Sequence, residues 1–212
     1  MEPGSRSLLN LVFLTPKSWW KGFSKDQLFP PLYYAVSILY EKGTVSACNQ
    51  DSIVEIVQLL LDNVADINVQ GGHLRNALQA ACVPPFEGVV ELLLSRGAEI
   101  NAHGGYLGNA LQAAAYIGLV KDVQLLLKNG AEVNAGGGTY GSALIAAAYT
   151  GRRYIAELLL DQGADINARG GPFGNAIQGA IANDKVDIVE LLLSRGAETN
   201  ITEELLKNVE EK

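Results

Sequence analysis

Residues 188–198 read Ile-Val-Glu-Leu-Leu-Leu-Ser-Arg-Gly-Ala-Glu, and this stretch decides the fold. Its leucine triplet has earlier copies in the chain, each separated from the next by 33 residues. A related pentapeptide that ends in asparagine follows every triplet. Five copies in one register indicate a repeat architecture. The triplets lie at 59–61, 92–94, 125–127, 158–160 and 191–193.

A second block with the same period predicts a short first helix ahead of each triplet. The glutamines at 79, 112 and 178 stand three residues after a good N-cap residue, and this spacing predicts a capping box. The alanine run 113–115 predicts a thin helix whose neighbours can approach closely. The predicted N-caps are Asn76, Asn109, Ser142 and Asn175.

Glycine marks the ends of the predicted helices. The chain has 23 glycines in 212 residues, about 11% against a usual share of about 7%. Gly118 and Gly151 suit a left-handed turn between the two helices of a unit, and a further glycine follows each second helix. The unit is therefore predicted as helix, turn, helix and hairpin-like loop. The glycines after the second helices are Gly97, Gly130, Gly163 and Gly196.

This pattern closely resembles the ankyrin repeat, which has 33 residues and the signature Thr-Pro-Leu-His-x-Ala followed by Val-x-Leu-Leu-Leu-x-x-Gly-Ala-Asp-Val-Asn. Residues 188–198 match its second half, whereas Asn-Ala-Leu-Gln replaces Thr-Pro-Leu-His in the first. The variant is similar to a subclass of fungal arrays, which often form the C-terminal sensor of larger NACHT-type NTPase proteins. The sequence contains no Gly-x-x-x-x-Gly-Lys-Ser/Thr motif, so nothing of an NTPase is present in it.

The resemblance covers about residues 27–202 and implies an all-α solenoid of stacked units with terminal caps. Residues 27–70 form a degenerate first repeat with extra residues between its helices. Residues 1–26 are predicted as an irregular N-terminal cap, and residues 203–212 as a capping helix. The remaining repeats occupy about 71–103, 104–136, 137–169 and 170–202.

Four residues depart from the repeat. Pro84 and Pro85 stand where the other units turn, and because proline cannot adopt left-handed geometry we expect a shorter first helix and a rebuilt turn there. Asp184 replaces a turn glycine, which is a milder change. Arg153 replaces a usually apolar residue, so it either snorkels or marks a contact surface.

Composition excludes several classes of function. The net charge of −7 disfavours non-specific binding to nucleic acid or to an acidic membrane. No secretory signal and no run of about 20 apolar residues is visible. Cys48 and Cys82 do not make a disulfide framework and are interpreted as reduced thiols. We therefore expect an intracellular monomer, cytoplasmic or nuclear.

Catalytic and metal-binding patterns are not visible in the sequence. His73 and His103 are the only histidines, and no cysteine or carboxylate cluster accompanies them at metal spacing. The carboxylates that recur once per repeat are interpreted as pinning the loops, and the asparagines as satisfying loop backbone groups. We therefore predict no enzyme activity, no cofactor and no metal. The recurring carboxylates are Asp66, Glu99, Glu132, Asp165 and Glu198.

Positions that vary between copies carry the candidate binding site. In the ankyrin family, loop tips and first helices line a concave groove, and tyrosine suits an interface because it offers rigid area and a polar tip. The resemblance thus implies a protein-binding patch of tyrosines with a charged rim. The candidate residues are His73, Arg75, Tyr106, Tyr116, Thr139, Tyr149, Arg152 and Arg153.

An alternative interpretation is that the tyrosines merely cover helix ends. Leu74, Leu107, Tyr140 and Phe173 share a position that is always large, and this is interpreted as loop packing. The net charge describes the whole chain and does not determine the charge of the binding face.

Three functions are compatible with these patterns. The first is a non-enzymatic protein-interaction module, and the second is a sensor or autoinhibitory segment of a larger multidomain NTPase or effector protein. The third is a remote one, a small-molecule-binding or catalytic role. The binding function of the interaction module is inferred from analogy with the fold, since no single residue proves it.

Overall fold

The computed structural model describes residues 50–62, 66–70, 74–83 and 88–198. The chain divides into two compact units, Met1–Ala98 and Glu99–Lys212. The predicted caps at 1–26 and 203–212 lie outside the described residues, as does Cys48. Each unit has its own hydrophobic interior.

The first unit contains three described helices: α1 (Gln50–Asp62), α2 (Ala77–Ala81) and α3 (Val89–Ser95). The leucine triplets lie on α1 and α3, and these two helices pack against each other. Asp62 Oδ1 pairs with Arg96 Nη1 at 2.7 Å, which ties the ends of the two helices together. The predicted second helix of each repeat is therefore present in this unit.

The described part of the second unit contains three helix pairs, each made of an alanine-rich helix followed by a leucine-rich one. The alanine-rich helices α4, α6 and α8 pack side by side, and so do the leucine-rich helices α5, α7 and α9. Within the described ranges no helix is long and apolar enough to span a bilayer. The helices are α4 (Ala110–Ile117), α5 (Val120–Lys128), α6 (Ala143–Thr150), α7 (Arg153–Asp161), α8 (Ala176–Ala182) and α9 (Val186–Ser194).

Small side chains allow the first helices to approach one another. The alanines at 113–115 and 146–148 are all fully buried between neighbouring helices. Leu126 and Leu159 fill the layer between these helices and the leucine-rich ones, and both are fully buried. Because alanine loses little side-chain entropy on burial, close packing costs little in this layer.

The predicted N-caps form as expected. The side chains of Asn109, Ser142 and Asn175 accept hydrogen bonds from the backbone N–H three residues later, at 2.8, 3.2 and 3.0 Å. A reciprocal capping box is complete at Gln178, whose Oε1 accepts from the Asn175 N–H. The prediction of a box at Gln112 is wrong. Its Nε2 instead donates to the carbonyls of Ala135 and Gly137, because the loop of the next repeat lies within reach.

The turns between helices also match the sequence pattern. Gly118, Gly151 and Asp184 all adopt left-handed geometry, with φ of 99°, 76° and 54°. Helix α2 is shorter than α4, at 5 residues against 8, so the prediction of a shortened helix before Pro84 is confirmed. The turn itself, at 84–87, lies outside the described residues.

Hairpin-like loops and asparagine side chains join consecutive repeats. The loops close through isolated antiparallel bridges, Gly137 with Gly141 and Gly170 with Gly174. Asn134 Nδ2 donates to the Gly163 carbonyl at 3.0 Å, and its Oδ1 accepts from the Asp165 N–H at 2.7 Å. Asn101 makes the same pair of bonds one repeat earlier. The asparagines therefore satisfy the loop backbone of the following repeat.

Two of the aspartates that follow leucine triplets act within their own loops. Asp165 Oδ1 accepts from the Asn167 N–H at 3.0 Å, and Asp66 makes the same short turn with Asn68. These two carboxylates thus fix the asparagines that bond to the next repeat. For Asp66 and Asp165 this local role agrees with the prediction that the carboxylates pin the loops.

Candidate binding surface

Four aromatic side chains of the second unit stack on one another where the loop tips meet the ends of the first helices. Tyr140 is the centre, with its ring centroid 4.9 Å from that of Tyr116 and 5.4 Å from that of Tyr149. The centroid of Phe173 lies 4.4 Å from that of Tyr149 and 6.2 Å from that of Tyr140. The four side chains are called the aromatic stack below. It joins three consecutive repeats through side chains alone.

The aromatic stack is assembled from two kinds of element. Tyr116 and Tyr149 lie near the ends of α4 and α6, whereas Tyr140 and Phe173 lie in the hairpin loops that precede α6 and α8. Tyr140 is buried, at 8% exposure, while the other three are half-buried. The loop-packing interpretation of Tyr140 and Phe173 is confirmed. Tyr116 and Tyr149 do cover helix ends, as the alternative interpretation proposed, but their half-buried rings keep some area in water.

Tyr106 presents an exposed ring on a fixed backbone. Its side chain is 54% exposed at the loop tip before α4. The Thr139 N–H and hydroxyl both donate to the Tyr106 carbonyl, at 2.8 and 2.9 Å. The predicted site residues Tyr106 and Thr139 are therefore in direct contact. Because the backbone is held in place, little entropy is lost when the ring meets a partner.

The two arginines of the predicted rim are engaged within the repeats. Arg153 Nε pairs with Glu157 at 3.1 Å, and its Nη1 donates to the Asp187 carbonyl of the next repeat. Arg152 covers the turn of the preceding repeat, where a methyl group added to Gly118 would lie 2.7 Å from its Nε. Both side chains thus contact a neighbouring repeat.

The remaining two predicted residues do not belong to the described second unit. Arg75 belongs to the first unit, where it is exposed and has a φ of 70°. His73 lies outside the described residues. Tyr106, Tyr116, Thr139 and Tyr149 therefore carry the candidate site in the second unit.

Sequence reasoning missed how the tyrosines are connected. The loop-packing interpretation of Tyr140 did not include its contacts with Tyr116 and Tyr149 near the ends of α4 and α6. Asn183 is absent from the predicted site, yet its Nδ2 donates to the Tyr149 carbonyl at 2.7 Å and fixes the end of α6. The available signal was that Tyr149 follows Tyr116, and Phe173 follows Tyr140, by one repeat of 33 residues.

Burial sets the ionisation of the central tyrosine. Desolvation raises the pKa of Tyr140 well above its ordinary value of 10.0, and a hydrogen bond with the Tyr116 hydroxyl raises it further. A hydrogen bond raises the pKa in this way when the neutral phenol donates. Burial and this contact therefore both favour the neutral phenol of Tyr140.

Raising the pH above the ordinary tyrosine value of 10.0 is expected to destabilise the second unit through Tyr140. Below that pH both the folded and unfolded forms are protonated, and the stability from this group is fully present. Above it only the unfolded tyrosine ionises, so the free energy of unfolding falls by up to about 1.4 kcal/mol per pH unit. Urea denaturation across this range measures the slope.

The controls for this prediction are two phenylalanine variants. Tyr140→Phe should flatten the alkaline slope, since it removes the group that titrates. Tyr154→Phe removes a hydroxyl from a side chain that is 57% exposed and should leave the slope unchanged. An identical alkaline loss in the wild type and Tyr140→Phe would contradict the assignment.

Metal ligation finds no support at this surface. Among the described residues no group of three or more histidine, cysteine, aspartate or glutamate side chains is placed to hold an ion. Cys82, the described cysteine, is buried and forms no disulfide there.

Comparison with protein families identifies a family for the chain. The family model for ankyrin repeats matches the chain over residues 44–137, 87–170 and 111–203. These overlapping matches span most of the chain and include all the described helices of the second unit. No curated protein sequence matches it.

Proposed function

The chain belongs to the ankyrin-repeat family, and from that premise we propose that it is a non-enzymatic module that binds a partner protein through its loop tips and first helices. Ankyrin repeats are generally protein-interaction modules. The observation that carries the proposal is Tyr106, an aromatic ring 54% exposed on a backbone held by Thr139. Exposed aromatic side chains on rigid supports are typical interface anchors.

The surface has the mixture of rigidity and accessibility that recognition needs. The aromatic stack fixes Tyr116 and Tyr149 through neighbours on adjacent repeats, so their edges are presented in one arrangement. Thr150 donates its hydroxyl to the Ala146 carbonyl at 2.7 Å, which holds the end of α6 in place. Side chains locked by packing give a more precise site than side chains on mobile loops.

We also propose that the array restrains an attached effector if it occurs within a larger protein, as the sensor interpretation holds. The resemblance of residues 104–114 and 170–180 to the fungal subclass supports this second role. The gene context tests it directly, because a contiguous NTPase or effector domain is required. Its absence from the gene would remove this role and leave the first intact.

The binding role is tested with a protein partner identified by affinity purification and then purified. Tyr106→Ala is expected to weaken the measured affinity about tenfold, a loss of about 1.4 kcal/mol. Tyr154→Ala is the matched control, because Tyr154 is 57% exposed but lies on the leucine-rich helix α7. Calorimetric titration measures both, and equal thermal midpoints establish that each variant is folded.

The outcome that contradicts this proposal is equally clear. An unchanged affinity for Tyr106→Ala, together with a large loss for Tyr154→Ala, would move the interface to the leucine-rich helices. Turnover of a substrate by the purified chain would overturn its non-enzymatic character.

A further inference from the structure

Arg75 has an unusual backbone conformation for an arginine. Its φ is 70°, in the left-handed region that residues with side chains rarely adopt. The same position is glycine in the three following repeats, with φ of 90°, 84° and 83° at Gly108, Gly141 and Gly174. Left-handed geometry strains a residue that carries a Cβ, whereas glycine adopts it freely. An arginine at this position therefore lowers the stability of its loop.

A side chain at this position also restricts the cap of the helix that follows. A Cβ added to Gly174 would overlap Oε1 of Gln178, the atom that accepts the cap N–H and completes the capping box. In the first unit the Asn76 N–H donates to the Leu74 carbonyl at 3.0 Å. The Cβ of Arg75 is thus incompatible with the glutamine position found at the start of α8.

Arg75 is also the single charged residue of its segment. Residues 74–83 form the end of the loop and the first helix, and the corresponding segments 107–116, 140–149 and 173–182 contain no Asp, Glu, Lys or Arg. Residues 76–82 are all buried, whereas the side chain of Arg75 is exposed. A partner that docks on this segment therefore meets one charge, the guanidinium group.

Other arginines of the array have carboxylate partners. Arg96 and Arg195 each pair with an aspartate of the preceding repeat, at 2.7 and 2.9 Å, and Arg153 pairs with Glu157. Within the described ranges no such pair forms at Arg75. An exposed arginine is ordinary by itself, but this one stands where glycine would be more stable, and no described contact explains its presence.

We propose that Arg75 is a specificity-determining residue that binds an anionic side chain of the partner protein, a carboxylate or a phosphorylated residue. The inference rests on the proposed function. The guanidinium group presents a planar fork of N–H donors that matches either oxyanion through two parallel hydrogen bonds. Strain that persists in a fold is concentrated at functional sites.

The charge of the whole chain makes this local cation decisive. A net charge of −7 repels an acidic partner at long range. Because the neighbouring segments are uncharged, a preference for an anion on this side of the repeats depends on one ion pair. Removing that pair should therefore remove the preference, without any change elsewhere on the surface.

The experiment uses the full chain and, as probe, the purified partner of the Tyr106→Ala measurement. Arg75→Gln removes the charge and keeps the strain, whereas Arg75→Gly removes both. Arg75→Lys keeps a charge but loses the fork. Lys128→Gln is the matched control for net charge, since Lys128 is exposed at the end of the leucine-rich helix α5. Calorimetry at about 50 and 300 mM salt measures each Kd, and thermal unfolding measures stability.

The glycine variant should bind less tightly although it is more stable. Arg75→Gln and Arg75→Gly should each raise the Kd about tenfold at the lower salt concentration, and this loss should shrink at the higher one because salt screens the pair. Arg75→Lys should raise the Kd about threefold. Arg75→Gly alone should raise the thermal midpoint, by about 2–4 °C, since the strain is released. Lys128→Gln should leave the Kd unchanged.

Two changes to the partner identify the anion. If Arg75 binds a phosphate, phosphatase treatment of the partner should weaken binding and make wild type and Arg75→Gln equal in Kd. If it binds a carboxylate, one aspartate-to-asparagine or glutamate-to-glutamine substitution in the partner should do the same. Either result is a double-mutant cycle that assigns the lost affinity to one pair of groups.

Several results would overturn the inference. These are an unchanged Kd for Arg75→Gln, a loss that neither change to the partner reproduces, and a loss of equal size at both salt concentrations, which indicates stacking on an aromatic ring. A lower thermal midpoint for Arg75→Gly would assign the arginine a structural role instead. If Tyr106→Ala weakens binding and Arg75→Gln does not, only this inference falls. If neither variant weakens binding, the proposed function falls as well.

Discussion

Replacing Gly141 by alanine is expected to lower the free energy of unfolding of the second unit by more than about 3 kcal/mol. Gly141 has a φ of 84°, a conformation that side-chain-bearing residues rarely adopt. The added methyl group would also lie 2.4 Å from the carbonyl carbon and 2.5 Å from the Cα of Gly170. Because these are backbone atoms of the next hairpin, no side-chain rotation relieves the clash. Urea denaturation followed by circular dichroism measures the loss.

Gly163 offers a closely matched control for this variant. Its φ is also 84°, but a methyl group added there would meet no atom within 4 Å. Gly163→Ala should therefore cost only the backbone strain, about 1–2 kcal/mol. The difference between the two variants reports the backbone contact between hairpins. Equal losses would show that the hairpins do not stack as closely as described.

These two glycines show what the sequence could predict and what it could not. The 33-residue period placed both at chain turns, and their positive φ values confirm that assignment. It could not tell that a methyl group on Gly141 would meet the next hairpin while a methyl group on Gly163 would meet no atom within 4 Å. That distinction depends on the stacking of whole repeats, which no local pattern encodes. The same limit explains Gln112, whose side chain is drawn from its own cap to the next loop.

The candidate site divides in the same way. The sequence predicted Tyr106, Tyr116 and Tyr149 as site residues because their positions vary between repeats. The positions that pack the repeats hold similar residues in every copy. The sequence did not predict how Tyr116 and Tyr149 are arranged, because both contact Tyr140 of the hairpin loop between them. The charge of the surface was undetermined while only the total of −7 was considered. The charge of this surface could be assigned once the structure showed which segments are loops, first helices or second helices.

The packing of the leucine triplet explains why it recurs in every repeat. In α7 the middle leucine, Leu159, is fully buried, and α7 packs against both α5 and α9 as well as α6. A repeat contacts only its neighbours, so the stability of the array is a sum of units and interfaces. A residue at the centre of one unit therefore affects two interfaces at once. This is why the triplet, more than the variable first block, determines the fold.

Leu159→Ala is accordingly expected to destabilise the second unit by about 3–4 kcal/mol, and Leu193→Ala by less than about 1 kcal/mol. Both residues are leucines of a triplet, and both helices keep their propensity because alanine is a good helix former. Leu193 is 39% exposed, so its truncation leaves no closed cavity, whereas the space left at Leu159 is enclosed. Urea denaturation measures both losses. Near-equal values would mean that the middle leucine owes its recurrence to helix formation, and that packing between repeats does not set the period.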